Sequence, residues 1–368
     1  MKTDFSSEDT KKIKGFAILL MLLHHLYLAP ERYSGQEVYF TPFSEHLVNS
    51  FTLTMKICVA YFVFISAYGI TKSLKKANSG NLSRLSSNII NTYVYRRGIK
   101  LEAEFLIVFL IAQLYSVLVV GDNRFAYVYG TNIKSIVYFA IDALGLAELF
   151  STPTFLATFW YISLAWIIIL VLPVMIVFYK RLGGAALLGI SLLIVILFPV
   201  TAEHSFAHFP QYILVISSGI ICADKDIISN ITARQDMPKV FKLLIYLLLF
   251  AIVFCLRFLT RGSIIVSVLD MLITIDTCVL FHEFINRCPV IREILSFIGG
   301  YATDIFLVHN FIRVVWYYDF TYSFHHWLLI FFVLLSVSIV VSVFIELLKK
   351  AIRYEAFVNK LIALYPSV

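Results

Sequence analysis

The chain has 368 residues, 60% of them hydrophobic and 14% charged, with a mean hydropathy of +0.86. So apolar a composition excludes a water-soluble globule and matches a polytopic membrane protein. The net charge of +7 does not argue for nucleic acid, because that reading needs a basic patch on a water-soluble face; here the cations sort by topology.

The first predicted element is a helix through Lys11 to Leu28, KKIKGFAILLMLLHHLYL. Basic residues before an apolar run also describe a secretory signal. However, His24 and His25 interrupt the run and no small-x-small cleavage site precedes Pro30, so it reads as a retained first span. Ionisable groups at membrane depth are expensive and are functional candidates by default. Lys14 and His25 stand eleven residues apart, close to three turns, so they share one face about 16 Å apart, while His24 points about 100° away. If Lys14 marks the cytoplasmic edge of a hydrocarbon core about 30 Å thick, His25 lies about halfway across it.

Further apolar segments fall at 51–74, 101–120, 155–179, 184–200, 209–223, 240–259, 263–285, 294–314 and 326–348, which with 13–28 makes ten. An eleventh candidate, 133–150, contains Lys134, Asp142 and Glu148 and reads as interfacial or re-entrant. With a cytoplasmic N-terminus this topology puts 23 of the 30 Lys and Arg residues inside, the bias that orients membrane proteins. The others are Arg32, Lys56, Arg124, Lys134, Arg257, Arg261 and Arg313. Full crossing by 133–150 would turn Lys180, Arg181 and the basic tail outward. The expected fold is therefore an all-α polytopic membrane bundle of about ten transmembrane helices with both termini cytoplasmic. It forms one domain over 1–368 with no appended soluble domain. The five cysteines sit in or beside apolar segments without a CxxC pair, so neither a disulfide framework nor a zinc site is indicated.

Between spans, the loop 29–50 carries Glu31, Glu37, Glu45 and His46 and is long enough to cover a site from outside. The loop after span two holds Lys72, Lys75, Lys76 and Arg84, and span three begins with Arg96, Arg97 and Lys100. Topology and anionic lipid are one account of these seven cations. A phosphate clamp is the other, since Arg offers a planar fork and Lys a point charge. Arg96 and Lys100, at i and i+4, are expected to share a helix face. No Walker pattern or GxGxxG is present, which leaves no ordinary nucleotide fold. Trp316, Tyr317, Tyr318 and Trp327 gather where spans nine and ten meet the outer interface, as an aromatic belt or as a surface that stacks on a sugar ring.

The intramembrane polar residues complete the inventory. Asp304 and His309 are five residues apart and diverge by about 140° on one helix. Asp270, Asp276, Glu104 and Ser66 are orienting partners or interhelical clasps.

KGFAILLMLLHH resembles the opening motif of the acyltransferase 3 family of integral membrane acyltransferases, in which a basic residue stands eleven positions before a functional histidine. YFVFISAYGI, YRRGIK, TFWYISLAW and YATDIFLVHNF are similar, in order, to its second-span, third-span, fourth-span and late-span signatures. Lys14 stands where the family often has Arg, which keeps the charge and loses a fork, and Leu101 falls where a Pro is common. The resemblance implies transfer of an acyl group, usually acetyl, from cytoplasmic acyl-CoA to a hydroxyl of a carbohydrate or glycolipid. That chemistry belongs to modification of cell-envelope polysaccharide at a bacterial cytoplasmic membrane. On this reading His25 is the catalytic residue, as base or as acyl carrier, and Lys14, Arg96, Arg97 and Lys100 bind acyl-CoA. His24, Trp160, Asp304 and His309 are candidates for acceptor-side or orienting roles, and no metal is expected. The competing reading is a transporter or flippase of a lipid-linked sugar. Such folds commonly carry repeated halves and helices broken at matching positions; Pro173, Pro199 and Gly299-Gly300 show no matching set.

Overall fold

Backbone amides in hydrocarbon have no water to bond, so a chain this apolar satisfies them internally as helices. A computed structural model describes residues 4–83, 85–198, 208–234 and 237–365; Arg84 and Pro199 lie outside these residues. Among the described residues there is no sheet, only an isolated bridge between Tyr39 and His326. The helices are α1 (Ser7–Tyr27), α2 (Glu45–Thr54), α3 (Cys58–Ala77), α4 (Ser87–Tyr115), α5 (Arg124–Tyr129) and α6 (Ile133–Ala143). Then come α7 (Ala147–Phe150), α8 (Trp160–Leu197), α9 (Phe209–Lys225), α10 (Ile227–Thr232), α11 (Lys239–Leu259) and α12 (Ile265–Glu283). The last are α13 (Pro289–Gly300), α14 (Ala302–Asn310), α15 (Tyr318–Tyr322), α16 (Trp327–Ala351) and α17 (Tyr354–Ala363).

Among the described residues each predicted apolar segment is largely helical, and six helical stretches are long and apolar enough to cross a membrane: Glu45–Ala77, Ser87–Val120, Ala157–Leu197, Lys239–Leu259, Ile265–Arg287 and Trp327–Ala351. The protein is an integral membrane protein. Phe241, Leu244, Leu248 and Ile252 of α11 are exposed on its outer face, where lipid takes the place of a core. The segment 133–150 is not one long helix: α6 has 11 residues, short of the length a span needs. It ends in a clasp in which Asp142 accepts from the Tyr129 hydroxyl at 2.7 Å, Thr154 Oγ1 at 2.8 Å and the Phe155 amide at 2.6 Å.

Two spans differ in detail from the expectation. α8 holds the fourth and fifth together, but Gly183 breaks it with φ +86°, a left-handed conformation that glycine adopts without strain. The chain reverses there. Lys180 pairs with Asp224 near the end of α9, and Ser191 then meets Ser217 one to two turns back along that helix. The predicted ninth span is two helices broken at Tyr301 (ψ 11°). Two residues before the break, Gly299 packs against α1. A Cβ on Gly299 would overlap the Lys11 carbonyl, and one on Gly15 would overlap that of Leu295. α1 and α13 therefore cross with their backbones in contact, which only small residues permit.

The N-terminal end of α1 is fixed by a second device. Ser6 caps the helix in a capping box with Asp9. The buried Asp9 carboxylate also accepts from Lys12 Nζ at 2.9 Å, Asn286 Nδ2 at 2.8 Å and His282 Nδ1 at 3.0 Å, tying α1 to the end of α12. Burial pushes the Asp9 carboxyl up, but the hydrogen bonds from His282, the Ser6 amide, Asn286 and Lys12 outweigh it and hold it well below its ordinary value.

Two outcomes are expected in denaturation of the purified protein. Gly15→Ala and Gly299→Ala each destabilise it by about 1–3 kcal/mol through overpacking. Gly189→Ala, with open space at its Cβ position, is neutral or slightly stabilising; equal effects at all three positions would contradict the crossing. Asp9→Asn destabilises by about 1–3 kcal/mol. Because the folded carboxyl titrates below its ordinary value of 3.8, the wild-type advantage is complete above that pH and is lost as pH falls below it.

Candidate functional site

Helices α1, α3, α4, α8 and α14 surround a cavity of about 1070 Å³ that follows the length of α1. Ser6, Ser7, Thr10 and Lys14 line one end, His24 and His25 the middle, and Leu28 and Arg32 the other end. The basic end also receives Lys72 of α3 and Arg97 and Lys100 of α4. Lys72 forms an ion pair with Asp226; Lys14, Arg97 and Lys100 are solvent-exposed. Arg96 does not line the cavity, so Arg97 and Lys100, three residues apart, are the pair that turns toward it. Gly98 makes that possible. A Cβ there would stand 2.7 Å from the Trp166 ring, so the third-span and fourth-span motifs meet at this glycine.

At mid-length the two adjacent histidines divide. His24 is buried and its Nδ1 lies 3.0 Å from the Thr52 carbonyl, while Thr52 Oγ1 donates to the Tyr27 carbonyl at 2.8 Å. A carbonyl only accepts, so His24 Nδ1 carries a proton and clasps α1 to α2. His25 is half-buried on the cavity wall. Its ring centroid lies 5.0 Å from that of His309, with 35° between the planes. His309 is wholly buried, and its Nδ1 lies 2.8 Å from the Phe306 carbonyl and 3.1 Å from that of Ile305. Its Nδ1 therefore holds the proton and, in the neutral ring, Nε2 is a free acceptor. Among the described residues, His25 Nδ1 and His309 Nε2 are buried without a hydrogen-bond partner.

The remaining candidates separate. Trp160 forms part of the wall, edge-on to His208 at 4.9 Å, beside Tyr161 and Ser66. Asp304 is drawn away to Lys349, 3.3 Å from its Nζ, which also binds Glu346 at 2.8 Å and Glu104. The three carboxylates lie within 4.8 Å of one another, and the lysine ammonium fills the space a cation would take. Asp270 is paired with the buried Arg257, so it acts as an interhelical clasp.

The sequence reading did not place Arg313 and Asn310 at this site, yet both line the cavity beyond His25. Arg313 is 2% exposed; its Nε donates to Asn310 Oδ1 at 2.9 Å, and Asn310 Nδ2 donates to Thr158 Oγ1 at 3.3 Å. The signal was the i,i+4 spacing of His309 and Arg313, which sets both on one helix face. It runs into a π-helical turn over Phe311–Trp316, a feature frequent at functional sites. A second cavity, of about 1160 Å³, opens at the basic end beside Asp9, Lys12, Arg234 and His282 and does not include His25.

A family model described as an acyltransferase domain, that of the acyltransferase 3 family, matches residues 13–347. No curated protein and no solved structure matches the chain.

The geometry separates the neighbours in stability as well as in chemistry. His24→Ala removes a buried hydrogen bond and is expected to destabilise by about 1–3 kcal/mol. His25→Ala opens a cavity wall with no bond lost and is expected to stay within about 0.5 kcal/mol of wild type. Thermal denaturation of both variants checks this, and the reverse order would contradict the division.

Proposed function

The chain belongs to the acyltransferase 3 family, and on that premise we propose that this membrane acyltransferase moves an acyl group, acetyl first, from cytoplasmic acyl-CoA to a hydroxyl of a carbohydrate or glycolipid. The observation that carries the reading is the single cavity leading from a cluster of cations past His25 to the opposite end of α1. The proposed topology is ten transmembrane helices with both termini in the cytoplasm, in a bacterial cytoplasmic membrane. The basic end then faces the acyl-CoA pool.

The chemistry follows from the wall. Lys14, Arg97 and Lys100 hold the phosphates of coenzyme A, with Lys72 at the rim, and Arg96 adds only long-range attraction. The pantetheine arm threads along α1 and brings the thioester to His25. The two rings touch without a hydrogen bond; with its own Nδ1–H committed to backbone carbonyls, His309 would orient His25 if a small closure let its Nε2 accept from His25 Nδ1–H. His25 Nε2 is thereby left as the base facing the cavity. It takes the proton of the acceptor hydroxyl as the oxygen attacks the thioester carbonyl carbon. The carbon–sulfur bond then breaks, and the leaving thiolate takes the proton from the imidazolium. The same Nε2 lone pair would also serve attack on the thioester to give an acyl-imidazole, and trapping of an acyl-enzyme distinguishes that route from base catalysis. His24, bonded to Thr52, and Asp304, bonded to Lys349, position helices.

A transporter or flippase of a lipid-linked sugar would also use a cavity reaching both ends, and turnover distinguishes the two. Purified protein given radiolabelled acetyl-CoA and a carbohydrate acceptor pool is expected to consume the thioester. His25→Ala should lose at least about 100-fold in rate while retaining binding. Lys14→Ala and Arg97→Gln should each weaken acetyl-CoA binding about tenfold or more, the size of a lost charge-assisted hydrogen bond, and Arg96→Gln much less. Failure of the wild type to bind acetyl-CoA or longer acyl-CoAs would shift the assignment to transport.

A further inference from the structure

We propose that the end of the cavity opposite the acyl-CoA cations is a phosphate site, in which Arg313, Lys56 and Arg32 hold a phosphate group carried by the acceptor. The proposal rests on the acyltransferase reading and narrows its acceptor to a sugar phosphate or a phosphate-linked glycolipid.

Three cations at this end of the cavity lack an ion-pair partner among the described residues. Arg32, Lys56 and Arg313 run against the bias that gathers Lys and Arg at the other end of the bundle. Of the other cations at this end, Arg124 pairs with Asp122 at 2.9 Å and the buried Arg257 pairs with Asp270, while Lys134 and Arg261 are exposed to solvent and lie outside the cavity lining. Among the described residues, Arg313, Lys56 and Arg32 form no ion pair, and all three line the cavity. Arg313 is almost wholly buried and bonds only neutral oxygens, Asn310 Oδ1 at 2.9 Å and the Tyr322 hydroxyl. An uncompensated buried charge is penalised by several kcal/mol, and at membrane depth it marks a substrate or ion path. Among the described residues, the only carboxylate lining the cavity is Glu104, at the opposite end beside Lys349.

The side chains present also select the ligand. A neutral sugar offers hydroxyl donors and calls for carboxylate or amide acceptors, of which this end supplies Asn310 and the Thr158 hydroxyl. Two guanidinium forks and an ammonium suit the oxygens of a phosphate. A phosphorylated sugar uses both sets: the cations take the phosphate, and Asn310 and Thr158 take a ring hydroxyl, with another hydroxyl directed at His25. The same cations would also accept the head of a bilayer phospholipid, so the test separates those two sources.

Purified full-length protein in phosphatidylcholine nanodiscs is titrated with a hexose 1-phosphate and with the unphosphorylated hexose. The hexose 1-phosphate is expected to bind at least tenfold tighter than the hexose. Arg313→Gln and, separately, Lys56→Gln should each reduce that affinity at least tenfold, Arg313→Lys should recover part of it, and Arg97→Gln should leave it unchanged. Lys56 is half-buried on the short 3-10 turn Met55–Ile57, so its variant keeps the test decisive if Arg313→Gln does not fold. Repetition with phosphatidylglycerol in the disc identifies the source. If that lipid excludes the hexose 1-phosphate and stabilises wild type but not Lys56→Gln, the phosphate belongs to the bilayer and the acceptor assignment is overturned. Equal affinity for both sugars, unmoved by either substitution, overturns the site itself. Acetyl-CoA binding, measured on the same samples, fails only if the acyltransferase reading fails.

Discussion

The backbone contact between α1 and α13 at Gly15 and Gly299 is the constraint on which the site depends. It fixes the position of α1 one residue after Lys14 and ten before His25. A helix is stiff over such a length, so anchoring it there sets which residues point inward all the way along. The Asp9 cluster at the N-terminal end and the His24–Thr52 clasp further along remove the remaining freedom to rotate and slide. The glycine contact and the Asp9 carboxylate lie outside the cavity lining, and His24, which lines it, is bonded to α2. Together they aim Lys14 and His25 at the same space.

Electrostatics gives that space its direction. Seven cations and one carboxylate line a cavity enclosed by apolar helices, a setting in which charge interactions are screened far less than in water. Four of the cations gather at one end and three at the other, with paired imidazoles between them. A donor with a phosphorylated head and a reactive tip on a long arm fits the first end. On the proposed phosphate site, a phosphate-bearing acceptor would take the second end, and the two reactive groups would meet at the imidazoles between the clusters.

Much of this was legible in the sequence because it is local. Eleven residues of helix between Lys14 and His25 fix their relation without any tertiary information, and hydropathy alone located the helical segments. The 133–150 segment was readable through Asp142 and Lys134, whose charges made a crossing unfavourable. The rest depends on contacts between distant residues. Nothing in YRRGIK says that Arg97 rather than Arg96 faces inward, because that choice is set by Trp166 packing on Gly98. Asp304 read as an acceptor-side or orienting candidate, and its pairing with Lys349 of α16 could not be read from its own segment. The ninth span read as one helix because hydropathy does not register the break at Tyr301. Arg313 stood in the sequence only as one of the seven cations away from the inner side, because its burial is set by packing between distant segments.

The central claim is that the donor occupies the cavity containing His25, in the orientation set by its cations. The most direct measurement is a cryo-electron microscopy map of the full-length protein with coenzyme A bound. The account predicts density for the phosphorylated head at Lys14, Arg97 and Lys100, with the pantetheine arm running along α1 and the thiol at His25. Coenzyme A seated instead in the second cavity, against Lys12, Arg234 and His282, would contradict it.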